Sequence, residues 1–215
     1  MPNLLIASAP LLLHGVAITL LLTVSAAIIA TLLGFVFAAA QLFGGRVLRI
    51  IVETYLYIVR GVPLLVLLFA MYYALPYAGI NVDPVSGGAL VIGLYFAAFM
   101  ADVFRGAVLV VPKGQWEAGR SIGLRTPRIL TDIVIPQALR VAGPPYINTV
   151  IMLVKGTSLV SIIGLSDVTF VGRQIVERTL APFEIFGGVA LIYFVICFAL
   201  SRCGAYLERR ATFVH

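Results

Sequence analysis

Trp116-Glu117-Ala118-Gly119-Arg120-Ser121-Ile122-Gly123-Leu124-Arg125-Thr126-Pro127-Arg128-Ile129-Leu130-Thr131-Asp132-Ile133-Val134-Ile135-Pro136 is the longest polar interruption in a very apolar chain. Gly114 and Gly123 bracket about two turns of helix. Ala118 and Gly119 are small enough to let another backbone approach closely. Trp116 and Ile122 offer apolar anchors, and Glu117 offers a charge. A short helix with such a face suits a groove on a partner protein. The plainer reading is an amphipathic loop helix between two spans. Gly123 is placed for a left-handed helix C-terminus. Thr126-Pro127 reads as an N-cap followed by proline at the first helical position. Pro136 marks the next kink or break.

Around this segment the composition is that of a membrane. The chain has 215 residues, 61% hydrophobic and 11% charged, with mean hydropathy +1.09. A soluble chain carries about a quarter charged residues. The net charge of +6 is therefore read loop by loop, and no basic run interleaved with aromatics points to nucleic acid. Cys197 and Cys203 both fall in the last apolar span and read as small buried hydrophobes, not as a disulfide or metal site. His14 and His215 lie towards opposite ends of the chain. No nucleophile and base form a credible pair, so no enzyme is expected. Lys155-Gly156-Thr157-Ser158 lacks the preceding glycines of a phosphate-cradling loop. No cofactor is expected, and no ATP site of the chain's own.

The spans follow from charge gaps and breakers. Residues 1–45 carry no charge and read as one long helix, about 8–43, retained as a span. A second span runs about 50–78, kinked at Pro63, with Arg60 just inside it. Asn81-Val82-Asp83-Pro84 is a turn, and a third span covers about 86–105. The fourth, near 137–155, contains Gly143, Pro144 and Pro145 and is expected to be bent or broken. Residues 160–182 read as a helix returning partway into the protein. The fifth span is about 184–206. The fold class is thus all-α and polytopic, a single transmembrane domain over 1–215 with five spans and a helix-bearing loop at about 112–136.

Orientation follows from Lys and Arg. Arg46, Arg49, Arg105, Lys113, Arg120, Arg125, Arg128, Arg140, Arg202, Arg209 and Arg210 collect on one side. Lys155, Arg173 and Arg178 fall on the other. The N-terminus is therefore expected outside and the C-terminus in the cytoplasm, which puts the 112–136 loop in the cytoplasm.

The spacing in that loop adds a family. Glu117-Ala118-Gly119, three residues, Gly123, nine residues and Ile133-Val134-Ile135-Pro136 closely resemble the cytoplasmic loop signature of ABC-importer permeases. Gly119 stands where alanine is usual, and Ile135 where leucine is usual. Arg60-Gly61-Val62-Pro63-Leu64-Leu65-Val66 with Tyr72, Tyr73 and Leu75-Pro76 resembles the polar amino acid branch. So does Phe99-Met100-Ala101-Asp102-Val103-Phe104-Arg105-Gly106, with Asp102 for glutamate and Phe99 for tyrosine. Lys155-Gly156-Thr157-Ser158-Leu159 and Ile163 to Asp167 are similar to later branch motifs, with Gly156 and Asp167 as departures.

The resemblance implies the type I importer permease fold, with the loop helix as an ATPase-coupling helix carried by Trp116, Glu117, Ala118, Gly119, Gly123 and Pro136. It also implies partners: a cytoplasmic ABC ATPase dimer that binds the ATP, a second permease subunit, identical or paralogous, and an extracytoplasmic solute-binding protein. The location implied is a bacterial plasma membrane. A path for zwitterions needs polar groups at membrane depth. Arg60, Asp102, Asn148, Lys155 and Asp167 are the candidates. The structural alternative pairs Asp102 with Arg105 one helical turn on, lets Arg60 reach the interface, and leaves Lys155 and Asp167 at the outer surface. The competing functional reading is an ATP-independent channel or ion-coupled carrier for small polar solutes.

Overall fold

The computed structural model describes residues 2–211, with side chains from 4 to 206. The side chains of Arg209 and Arg210, and His215, lie outside the described residues. Every regular element described is helical. Helix α1 spans Pro2–Phe43 and α2 spans Arg46–Gly61. Helix α3, Leu64–Tyr77, contains a π-turn at Ala70–Ala74. Helix α4 is Pro84–Val110, and the short α5 is Lys113–Ser121. Helix α6, Thr126–Ile163, holds a π-turn at Ile129–Val134 and closes in a 3-10 turn at Ser158–Ile163. Helix α7 is Val168–Thr179 and α8 is Pro182–Ala211.

Helices α1, α4, α6 and α8 are each long and apolar enough to cross a membrane, and α2 with α3 makes a fifth span if the bent pair counts as one. That pair bends by 99°. This corrects the expectation of one kinked helix. Proline disfavours helical backbone in the residue before it, and Val62 and Pro63 are both extended, at ψ 130° and 136°.

The fourth span departs the other way. It is not broken at Pro144-Pro145: regular helix runs from Ile135 to Thr157 straight through them. The two prolines deprive the carbonyls of Arg140 and Val141 of their usual donors, but Ala138, Ala142, Val150 and Leu153 stay buried on that helix. The distortion lies earlier, in the π-turn ahead of Pro136. The helix also starts one residue before the expected place. Arg125, extended and without a side-chain capping bond, is the cap, and Thr126 and Pro127 are inside.

The core forms where α1 crosses α4. A Cβ on Gly34 would lie 2.5 Å from the Met100 Cβ, and one on Gly93 would lie 2.7 Å from the Ile29 Cβ. Small residues at such crossings let helices pack closely without a hydrophobic drive between them. Leu22, Ile92, Phe96, Met100, Leu153 and Val160 fill the centre. Helix α7 wedges between α1 and α8, burying Val168, Val171 and Ile175 against Leu12, Ile185 and Val189. Polar bonds tie the layers: Thr31 with Tyr146 at 3.0 Å, and Tyr55 donating to the Leu94 carbonyl at 3.0 Å. Cys197 is half-buried and Cys203 exposed, so the expectation of two buried thiols does not hold.

Candidate functional site

Helix α5 is stopped by its sequence. Gly123 has φ +80°, its N–H donates to the Arg120 carbonyl, and the Leu124 N–H donates to the Gly119 carbonyl. Both bonds together make a Schellman closure, which favours glycine at the left-handed position. The helix turns one face inward. A Cβ on Gly119 would meet Ile129 Cγ1 at 2.8 Å and Ile133 Cδ1 at 3.1 Å. Gly119 therefore seats α5 on the π-turn of this same chain, which corrects its reading as an opening for a partner backbone. Trp116 is half-buried in the same apolar cluster with Val108, Leu124 and Ile133. Glu117, Ala118 and Ile122 face outward, Ile122 at 74% exposure. Pro136 sits in the first turn of regular helix after the π-turn.

The charges within the spans do not converge on one pocket. Arg60, at the end of α2, forms an ion pair with Asp102 of α4, and its Nε donates to the Leu56 carbonyl at 3.0 Å. The partner of Asp102 is thus Arg60 and not Arg105, which corrects the one-turn pairing. Both side chains are partly open, at 35% and 43% exposure. Their pair holds the 99° bend against α4 while leaving polar atoms accessible. Asn148 and Lys155 are exposed on one stripe of α6 with Val141, Pro145 and Met152. Gly156, where the family resemblance has aspartate, is packed tightly: a Cβ there would lie 3.1 Å from the Phe96 ring and 3.3 Å from Leu64.

Asp167 is a different kind of residue. It is fully buried and caps α7, accepting from the N–H groups of Phe170 at 2.9 Å and Thr169 at 3.1 Å and from the Tyr193 hydroxyl at 3.1 Å. Burial pushes its carboxyl above the ordinary value, and these donors work against the rise. The Val168 N–H beside it donates to Thr19 Oγ1 at 3.2 Å. Asp167 is therefore buried where α7 meets α1 and α8, and its carboxylate opens on no groove described below. Its partners Thr169 and Tyr193 carry no sequence signal beyond the Asp-x-Thr spacing.

A groove of about 530 Å³ opens between α1, α4 and α6, lined by Phe35, Phe104, Leu139 and Tyr146 among others. It is almost wholly apolar and holds none of the candidate path residues. A smaller notch of about 140 Å³ between α6 and α8 is lined by Asn148 and Ser201.

Residues 30–213 match the family described as the binding-protein-dependent transport system inner membrane component. The chain is 37% identical over 202 residues to the L-cystine transport system permease protein TcyB of Bacillus subtilis, covering 94% of this chain and 86% of that one. It is 33% identical over 203 residues to the glutamine transport system permease protein GlnP of Escherichia coli, covering 94% and 93%. With the histidine/lysine/arginine/ornithine transport system permease protein HisQ of Salmonella typhimurium the figures are 34% over 210 residues, 93% and 92%. A crystal structure of an amino acid ABC transporter with histidines superposes at TM-score 0.90, with 30% identity and 96% of each chain covered. The inward-facing MetNI methionine transporter shares the fold, at TM-score 0.80 and 20% identity. By sequence and by fold, this multi-pass chain belongs to the inner membrane components of binding-protein-dependent transport systems, the permease subunits of ABC importers, and its work is transport and not catalysis.

Proposed function

We propose that the chain forms the translocation path of an importer for polar amino acids or related compounds such as opines. Two cytoplasmic ATPase subunits bind and hydrolyse the ATP. A second permease subunit, identical or paralogous, and an extracytoplasmic solute-binding protein complete the assembly. The N-terminus faces outside a bacterial plasma membrane and the C-terminus faces the cytoplasm, an orientation supported by the placement of Lys and Arg. Relatives named for cystine, glutamine and basic amino acids support the substrate class.

The observation that carries this reading is α5. It is a short helix closed at its C-terminus by Gly123, seated through Gly119 on Ile129 and Ile133, with Glu117, Ala118 and Ile122 directed away from the chain. A push on its outer face passes through Gly119 to the π-turn and into α6. Helix α6 carries Asn148 and Lys155 on its open stripe, so movement at α5 reaches polar groups at membrane depth. A solute with an ammonium and a carboxylate loses hydration in a span at a cost of several kcal/mol unless polar groups replace it. The Arg60–Asp102 pair presents both signs, and with Asn148 and Lys155 it is the path this reading favours.

Reconstitution with the ATPase subunits tests it. Glu117→Lys is expected to weaken ATPase association while membrane insertion stays normal; wild-type association and stimulation would remove α5 from coupling. Asp102→Asn is expected to lower uptake more than it lowers assembly. Wild-type uptake by neutral variants at Arg60, Asp102 and Lys155 would leave backbone and hydroxyl groups as the site.

A further inference from the structure

Helix α2 has three faces. Val52 and Leu56 are buried, in one cluster with Ala40 of α1 and Ala98 and Ala101 of α4. Val47, Ile51 and Ile58 share a second stripe and are 72%, 60% and 55% exposed. Arg46, Arg49 and Glu53 are exposed as well. At about 100° per residue they fall on the side away from that stripe, with Ile50 and Tyr57 at the border. Among the described residues, neither arginine has an ion-pair partner.

Both ends of α2 lie on one side of the membrane. It starts at Arg46, just past the end of α1 at Phe43. It ends at Arg60, paired with Asp102, which lies about 27 Å along α4 from Pro84. That is close to the far edge of a ~30 Å hydrocarbon core. Val52 and Leu56 meet the same short stretch, Ala98 to Ala101. A crossing helix as long as α2 would rise about 24 Å and spread its contacts along most of α4. The crossing is made instead by α3, turned 99° from α2. Helix α3 rises about 21 Å, and the extended Val62 and Pro63 add about 6 Å.

We propose that α2 lies in the plane of the cytoplasmic leaflet and binds anionic phospholipid there. Val47, Ile51 and Ile58 enter the acyl chains, and Arg46 and Arg49 meet the headgroup phosphates. The choice of leaflet rests on the orientation given above. A helix with one charged side, one apolar side and protein on the third has the form of an interfacial helix. Charge complementarity selects the occupant: the two arginines outnumber Glu53, and anionic headgroups of the cytoplasmic leaflet attract juxtamembrane arginine. A leaflet offers phosphates and acyl chains to the two open faces at once.

The test uses the complete transporter in proteoliposomes of phosphatidylcholine and phosphatidylglycerol, with Cys197 and Cys203 replaced. Nitroxides placed singly on cysteines at Val47, Ile51 and Ile58 should report one depth, about 5–10 Å below the headgroups. Depth is read from collisions with oxygen and with a water-soluble nickel chelate. A depth that changes steadily from 47 to 58, by about 16 Å, would show a crossing helix and overturn the proposal. Collision with neither reagent would show a protein partner on the stripe and overturn it too. A fluorophore at Ile51 should be quenched at least about threefold more by nitroxide-bearing phosphatidylglycerol than by phosphatidylcholine bearing the same group. Equal quenching would overturn the binding of anionic lipid. Arg46→Gln with Arg49→Gln should erase the difference, and Arg46→Lys with Arg49→Lys should keep most of it; a difference that survives the glutamines would overturn the part given to the arginines. A cysteine at Arg49 should react with an impermeant maleimide only after permeabilisation. Reaction from outside, with one depth along the stripe, would overturn the orientation and the choice of leaflet but not the in-plane helix.

Discussion

Asp167 accepts two backbone donors and a tyrosine hydroxyl without reaching solvent. Losing an N-cap costs about 0.5–2 kcal/mol, so Asp167→Ala should lower the melting temperature of the solubilised chain, and Asp167→Asn, still a cap, should lower it less. The pH dependence has a definite sign. The folded carboxyl titrates above its ordinary value of 3.8, so between the two values the folded state holds more protons than the unfolded one. Stability from this group therefore falls as pH rises from about the unfolded value through the raised one, and is flat above it. Asp167→Asn should abolish that slope; an unchanged melting profile from acid to neutral pH would contradict it. Gly123 makes a separate prediction. Its φ of +80° is strained for a β-branched residue, whereas Gly114 has open space around it and ordinary helical backbone. Gly123→Val should destabilise the α5 closure by roughly 1–2 kcal/mol and reduce ATPase stimulation, while Gly114→Ala should leave both close to wild type. The glycine closure was legible from sequence because it depends on local backbone geometry. The carboxylate was not: a capping role and a path role look alike until Tyr193, twenty-six residues away, is placed beside it.

Each π-turn lies just ahead of a proline: Ala70–Ala74 before Pro76, and Ile129–Val134 before Pro136. The proline ring collides with the carbonyl four residues earlier in a regular helix. In both turns the widened backbone moves those carbonyls, of Tyr72 and Asp132, aside. Its bonds skip five residues, from Leu75 to Ala70 and from Ile135 to Leu130. Pro136→Ala removes the collision, and the segment is expected to relax to regular α-helix. The extra residue then turns what precedes it by about 100°, lifting α5 from its seat. A cysteine at Trp116, half-buried in the native chain, should react several-fold faster with thiol reagents in that background; equal rates would show that the turn survives without the proline. The long first helix and α5 were readable because glycines close them at their C-terminal ends, although α1 runs through Pro10 and begins at Pro2, ahead of the expected residue 8. The second and fourth spans were misjudged in opposite directions. Pro63 follows a residue that has left helical backbone, and Pro144-Pro145 sit on a helix whose other side is buried. Nothing in the dipeptides themselves separates the two cases.

Across the molecule, the apolar spans were legible from charge gaps and breakers, but the ion pair between Arg60 and Asp102 was not. Forty-two residues separate its partners, and only the 99° bend brings them together. Burial of Gly119 against Ile129 is likewise a contact between elements, invisible in the spacing that singled Gly119 out. Topology is checked directly: in a variant with Cys197 and Cys203 replaced, a cysteine at Ile80 should react with an impermeant reagent from outside and one at Arg125 should not. Both positions are exposed, so the reverse pattern would invert the orientation. The two π-turns finally bear on how much the chain's length can vary. A turn that spends one residue more than a regular helix needs is a slack link. Deleting one residue there, with the proline after it also replaced so that regular helix can close, takes up the slack and leaves both flanking segments in phase. The same deletion in the regular stretch around Phe96 rotates everything beyond it by about 100°. Among the described spans, α3 and α6 are thus where a lineage can lose one residue, together with the proline that follows the turn, without rotating the flanking segments against each other.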